Sequence, residues 1–298
     1  MKTATALALC LLSAPCLLRA QFPYQVRNNA AWITNYSGAS GPVEIPSTLD
    51  GFPVVGIGVN AFSGKAITAV TIPSSITNID TTAFQNCSSL ASIDLSNGLV
   101  SIGLFSFADC KSLQSVSIPD TVVVLGDYCF ANCTKLQSVS FGARVSQIGQ
   151  FAFAYAALAL VTIPASVTNI RTAAFQFAPS LVSMCFAGDA PTVDNPYLGN
   201  NNLTIYYAPA AKGWGSLLAG RPTVPWTVSS SGSTAGLVGG QFGFTITGPV
   251  GAPFVVDAST NLLDWSSVLP ATMGNSGYRF TEPQWSSFNR RFYKVRMP

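Results

Sequence analysis

The sequence predicts a mainly β solenoid of stacked 22–23-residue coils, capped at both ends and followed by a small all-β module. Three columns of apolar residues carry that reading. Phenylalanine recurs at Phe62, Phe84, Phe107, Phe130, Phe153 and Phe175, in steps of 22, 23, 23, 23 and 22. A second column runs through Ile72, Leu95, Ile118, Phe141, Ile163 and Phe186, and a third through Ile57, Ile79, Ile102, Leu125, Ile148 and Ile170. One coil cannot bury its apolar side alone. A shared period in three columns therefore means coils stacked on one continuous core.

The elements follow in chain order. Residues 1–20 read as a removable secretory signal: Lys2, an apolar run from Ala4 to Leu18, then Arg19-Ala20. No later run of 18 apolar residues follows, so no further segment is expected to span a bilayer. Phe22 to Tyr36 reads as a hairpin turning at Asn28-Asn29, placed to close the first coil. Within the coils, Leu90-x-x-Ile93-x-Leu95 alternates as a short strand with one buried face, and Val70-Thr71-Ile72-Pro73, Val116-Ser117-Ile118-Pro119 and Val161-Thr162-Ile163-Pro164 repeat it. Proline after the strand ends the ladder and starts a turn. Leu203 to Tyr207, Trp214 and Trp226 form an aromatic closing segment, so the repeat domain with its caps covers 21–227. Residues 228–240 are rich in Ser and Gly and uncharged, which predicts a flexible linker. Residues 241–298 alternate again, from Phe242-x-Phe244-x-Ile246 to Phe292-Tyr293-Lys294-Val295, as a β-sandwich-like module of about five strands.

Composition removes several classes of function. Only 9% of residues are charged, against about 25% in ordinary domains. The net charge of +3 offers no basic face for nucleic acid. The absence of histidine excludes Ser-His and Cys-His catalysis and histidine-bearing zinc sites. A mean hydropathy of +0.38 is what a long shared core plus a signal would produce.

The repeat resembles the BspA-like leucine-rich repeats, through Ile45-Pro46, Ile72-Pro73, Ile102-Gly103, Ile148-Gly149, Ala61-Phe62, Ala83-Phe84 and Ala174-Phe175. The resemblance covers about 22–227. It implies a leucine-rich-repeat solenoid and a secreted or cell-surface protein that binds other proteins or matrix and catalyses nothing. Leu95-Ser96 and Phe141-Gly142 depart from its Ile-Pro pattern, which alters a turn residue and leaves the fold intact. Val256 to Leu262 and Arg291 to Val295 resemble a terminal module of some secreted bacterial repeat proteins.

The rival reading, a parallel β-helix acting on polysaccharides, needs paired acids in neighbouring coils. Asp80, Asp94, Asp109 and Asp127 align instead with Gly, Ser, Thr, Asn, Gln, Leu or Arg, so no catalytic residues, metal ligands or cofactor are expected. Asn86-Cys87, Asp109-Cys110 and Asn132-Cys133 recur at 23 residues, which predicts buried Asn/Asp side chains on turn amides and buried free thiols behind them. Cys129 falls in the small core column of Ala61, Ala83, Ser106, Ala152 and Ala174. Cys185 falls in the outward Ser/Thr column and is expected to be an accessible thiol. That outward column predicts the interaction surface: Thr71, Ser92, Asp94, Ser115, Ser117, Ser138, Ser140 and Thr162 would meet a protein or extracellular-matrix ligand. Phe105, Tyr128 and Phe151 make an aromatic stripe, expected to pack in the core or at the coil edge in preference to serving as a stacking platform. A third reading is a passive envelope component attached to the cell surface through 241–298, where Arg279, Arg290, Arg291, Lys294 and Arg296 gather.

Overall fold

The computed structural model describes residues 20–194, 202–238, 241–275 and 277–298. The signal expected over 1–20 lies outside the described residues, apart from Ala20.

The isoleucine column becomes a parallel ladder in register. Ile57 pairs with Ile79, Ile79 with Ile102, Ile102 with Leu125, Leu125 with Ile148, Ile148 with Ile170, and Ile170 with Val193. Parallel stacking needs a connection that leaves the strand and returns one layer on, and each 22–23-residue coil supplies it. The longer strands form a second ladder in three pieces. Gly41–Glu44, Ile67–Thr71 and Ser92–Asp94 make the first piece, and Ser115–Ser117 with Ser138–Ser140 the second. The third contains Leu160–Ile163, Ser183–Phe186, Thr204–Tyr207, Arg221–Pro225 and Leu217–Leu218.

Between these ladders the phenylalanine column forms a stack of rings. From Tyr36 through Phe62, Phe84, Phe107, Phe130, Phe153 to Phe175, successive centroids stand 4.7 to 5.4 Å apart and the planes lie within 20°. Each of the six phenylalanines is fully buried. Burying one such side chain contributes about 1.5–3 kcal/mol, so the column outweighs any exposed ion pair on this charge-poor chain.

Proline ends the strands as expected: Ile76, Val122 and Val167 donate their amides to the carbonyls of Pro73, Pro119 and Pro164. Where proline is missing the same turn forms, from Leu99 to Ser96 and from Val145 to Gly142. Coils approach closely beside the isoleucine ladder, where a Cβ on Gly126 would stand 2.6 Å from the backbone carbon of Gly103.

The N-terminal cap is the predicted hairpin. Tyr24–Arg27 pairs antiparallel with Ala30–Ile33, and Asn28 and Asn29 turn the chain at φ 49° and 61°. Its Phe22 and Tyr36 rings extend the stack beyond Phe62. At the other end Thr204–Tyr207 and Arg221–Pro225 add rungs to the long-strand ladder. Trp214 closes it, stacking on Tyr207 at 4.8 Å and meeting Phe186 edge-on at 5.1 Å.

The expected linker is corrected. Ser229–Val238 is a strand, paired antiparallel with Gln241–Thr247 across a bulge between Ser231 and Gly236; residues 239–240 lie outside the described residues. Small, uncharged residues suit an edge strand as well as a linker, and the sequence alone does not separate the two. The module therefore has two three-stranded sheets. Ser229–Val238, Gln241–Thr247 and Tyr278–Glu282 form one; Ser266–Thr272, Pro253–Ser259 and Phe292–Arg296 form the other.

Candidate interaction surface

The outward columns are built by strand alternation. Val70, Val116 and Val161 point into the core, and their neighbours on either side point out. Register fixes the columns: Ala69 pairs with Ser92 and Thr71 with Asp94, Ser115 with Ser138 and Ser117 with Ser140, and Thr162 with Cys185. Thr71, Ser92, Asp94, Ser115, Ser117, Ser138 and Ser140 are exposed, and Thr162 is half-buried. The Ser140 hydroxyl donates to that of Ser117 at 2.9 Å. The face is small-featured, hydroxyl-rich and nearly uncharged, which favours contact by hydrogen bonding over electrostatic steering.

The same column then turns inward. Cys185 is 0% exposed and the next rung, Tyr206, 2%. The expectation of an accessible thiol at Cys185 is thus corrected. Its register is the predicted one, but the C-terminal module covers this end of the face. Cys185 and Tyr206 share a core with Val228, Phe244, Ile246, Phe254, Val256 and Phe280 of that module, and Leu160 packs against its edge. Trp226 Nε1 donates to the Pro253 carbonyl at 2.8 Å and fixes the approach. Burial pushes the Cys185 thiol up to about 12. A signal for this lay in the column itself, which changes from Ser140 and Thr162 to Cys185, Tyr206 and Val224 where it is covered.

The other cysteines are buried free thiols. The thiols of Cys87, Cys110 and Cys133 donate to the carbonyls of Phe62, Phe84 and Phe107 at 3.0, 3.3 and 3.3 Å. Burial raises Cys87 and Cys133 to about 12 and carries Cys110 and Cys129 well above the ordinary thiol value. The Asn/Asp residues before them are not buried, which corrects that expectation: Asn86 is exposed, and Asp109 and Asn132 are partly so. Their backbones are left-handed, at φ 60°, 61° and 59°, a conformation Asn and Asp tolerate. It is their own amides that bond, to Ala108, Ala131 and Ala154 of the next coil.

Sequence reasoning missed one charged cluster. Arg171 reaches Asp127 at 3.2 Å and Asp194 at 3.7 Å. Gly149 occupies the arginine's own column in the intervening coil and offers no side chain to obstruct it. One guanidinium is shared between two partly exposed carboxylates from different coils, an arrangement that bridges the coils. Among the described residues no group of three or more His, Cys, Asp or Glu is placed to hold a metal ion. In the module, Arg296 and Lys294 meet Asp257 at 2.6 and 3.8 Å, and Arg291 meets Glu282 at 3.2 Å.

Stacked coils, a ring-filled core and an open hydroxyl face define a leucine-rich-repeat solenoid. The chain belongs to the BspA-type leucine-rich repeat family, whose model matches residues 55–182 in six copies. Among solved structures it resembles a T. pallidum leucine-rich repeat protein at 33% identity, covering 57% of this chain and 84% of that one, with a TM-score of 0.53. A leucine-rich cell surface protein of Faecalibacterium prausnitzii matches at 28% identity over 56% of this chain and 53% of that one, with a TM-score of 0.45. The pneumococcal vaccine antigen PcpA shares the fold at 18% identity and a TM-score of 0.52, over 64% of each chain. No curated protein matches.

Proposed function

We propose that this is a non-enzymatic interaction protein, secreted or held at the cell surface, that binds a protein or extracellular-matrix ligand on the open part of its Ser/Thr strand face. The carrying observation is the contrast along one column. Thr71, Asp94, Ser117 and Ser140 stand exposed, while Cys185 and Tyr206 are sealed by the chain's own module. The family supports the location. The reading is supported by the covered end of the same sheet, which packs against a folded β surface built around Phe244 and Phe254.

The test is a pair of substitutions in alternate coils, Ser92→Arg with Ser138→Arg. Both positions are exposed, so folding should be unchanged by circular dichroism. Ligands captured from matrix extracts by the wild-type chain should be lost from the variant. Capture of the same set at the same strength would refute a strand-face site.

A further inference from the structure

The middle coils carry aromatic rings where the backbone disfavours them. In the turn after each isoleucine strand, two residues four apart adopt left-handed φ. The first such column is Asn60, Thr82, Phe105, Tyr128, Phe151 and Ala173, with φ from 52° to 59°. The second is Gly64, Asn86, Asp109, Asn132, Tyr155 and Phe177, with φ from 56° to 70°. Asn and Gly take this conformation readily, and the early coils use Asn60, Gly64 and Asn86, with Thr82 the exception; a bulky ring takes it at a cost. Core packing does not offset that cost. Tyr155 and Phe177 are 50% and 53% exposed, and Phe105, Tyr128 and Phe151 are half-buried.

The rings form two walls. Phe105, Tyr128 and Phe151 stack at 4.5 and 4.9 Å, and Tyr155 stacks on Phe177 at 4.8 Å. Ala108, Ala131 and Ala154 lie between them and leave a groove of about 370 Å³. Asp109 and Asn132, joined by an amide-to-carboxylate hydrogen bond, continue the second wall. Asp109 carries the one formal charge among the lining residues. Its pairing with Lys111 is loose, at 3.9 Å.

We propose that this groove binds a proline-rich segment of a partner protein in the polyproline II conformation, with a basic residue of that segment on Asp109. The site is separate from the strand face and does not depend on it. The first argument is period. A polyproline II turn is three residues and about 9.3 Å. Two ring steps, of 4.5 and 4.9 Å, carry the wall from Phe105 to Phe151 over nearly the same length. Every third residue of the ligand would then meet an equivalent ring. The second argument is surface chemistry. Stacked rings hide their faces on one another and present apolar edges, which suit proline rings; a sugar would need an open face. The phenol groups of Tyr128 and Tyr155 supply donors for the carbonyls that a polyproline II strand leaves unpaired. The third is charge: the single carboxylate in the lining, only loosely paired with Lys111, complements a cation and fixes direction.

The test uses the full chain and three probes in calorimetric titration: acetyl-Arg-(Pro)9-amide, a Gly/Ser peptide of the same length with the same Arg, and cellohexaose. The proline peptide should bind saturably and the other two should not. Tyr128→Asn should weaken binding about tenfold or more with an equal or higher melting temperature, because Asn60 already holds this column at φ 59°. Asp109→Asn should weaken the Arg-bearing peptide but leave acetyl-(Pro)9-amide unaffected. No saturable binding at millimolar peptide, equal binding of the Gly/Ser control, binding of cellohexaose instead, or full affinity in Tyr128→Asn would each overturn the proposal.

Discussion

Phe130→Ala tests the ring column as the main source of stability. The ring is fully buried, 5.1 Å from Phe107 and 5.4 Å from Phe153, with interplanar angles of 4° and 9°. Truncating a buried phenylalanine costs about 3–5 kcal/mol, and each ring–ring contact accounts for about 0.5–1.5 kcal/mol of interaction. With a ring on both sides, the loss should lie near the top of that range, about 4–5 kcal/mol. Urea unfolding of residues 21–298, followed by far-UV circular dichroism, reads it as a midpoint lowered by roughly 1.5–2.5 M at a slope of about 2–3 kcal/mol/M. Geometry also sets the coupling. Phe130→Ala combined with Phe107→Ala should be non-additive by about 1 kcal/mol, because those rings touch. Combined with Phe175→Ala it should add to within about 0.5 kcal/mol, since Phe175 stacks on Phe153 at 5.4 Å, one coil further on. A loss below about 2 kcal/mol, or coupling to Phe175 as large as to Phe107, would refute a stack coupled through nearest neighbours.

Three further outcomes follow from burial and charge. The native protein should present none of Cys87, Cys110, Cys129, Cys133 and Cys185 to a thiol reagent at pH 8, and all five in guanidinium chloride. Phe254→Ala, which thins the contact between module and solenoid, should expose Cys185 selectively and leave Cys110 protected; prompt labelling of Cys185 in the wild type would contradict the docked arrangement. Burial works to raise the Asp257 carboxyl, but hydrogen bonds from Arg296 and Ser267 and the charges of Arg296 and Lys294 outweigh it and hold the group below its usual 3.8. Its stabilisation is therefore complete above that value and is lost as the pH falls through the lower folded-state pKa. Wild-type melting temperature should drop more steeply below about pH 4 than that of Asp257→Asn, and parallel curves would refute the linkage.

The stacked core was legible because stacking imposes sameness. A ring above a ring, or Ile148 between Leu125 and Ile170, leaves a period that any single coil would hide. The turns survived their departures because Ser96 and Gly142 can do what proline does there. Cys185 was misread for the opposite reason: its exposure depends on residues such as Phe244 and Phe254, which meet it only after the module docks. The strand at Ser229–Val238 was hidden in the same way, since an edge strand of Ser and Gly borrows its order from its partner. The left-handed columns were half visible. Gly64, Asn86, Asp109 and Asn132 in one column spell a positive φ, but Tyr155 and Phe177 in that column look like core residues until their exposure is seen.

The hydrogen bonds between coils, such as Phe107 N–H to Cys129 C=O at 2.8 Å, join each layer to the next. A pull along the stack would therefore load the layers in series, one weak interface at a time, instead of shearing many bonds together. Each layer that let go would release 22–23 residues, roughly 80 Å of extended chain. Held at one end on a cell and at the other on a ligand, such a molecule would yield in steps and lengthen under tension, and the bond to its ligand would feel only the force that peels a single coil.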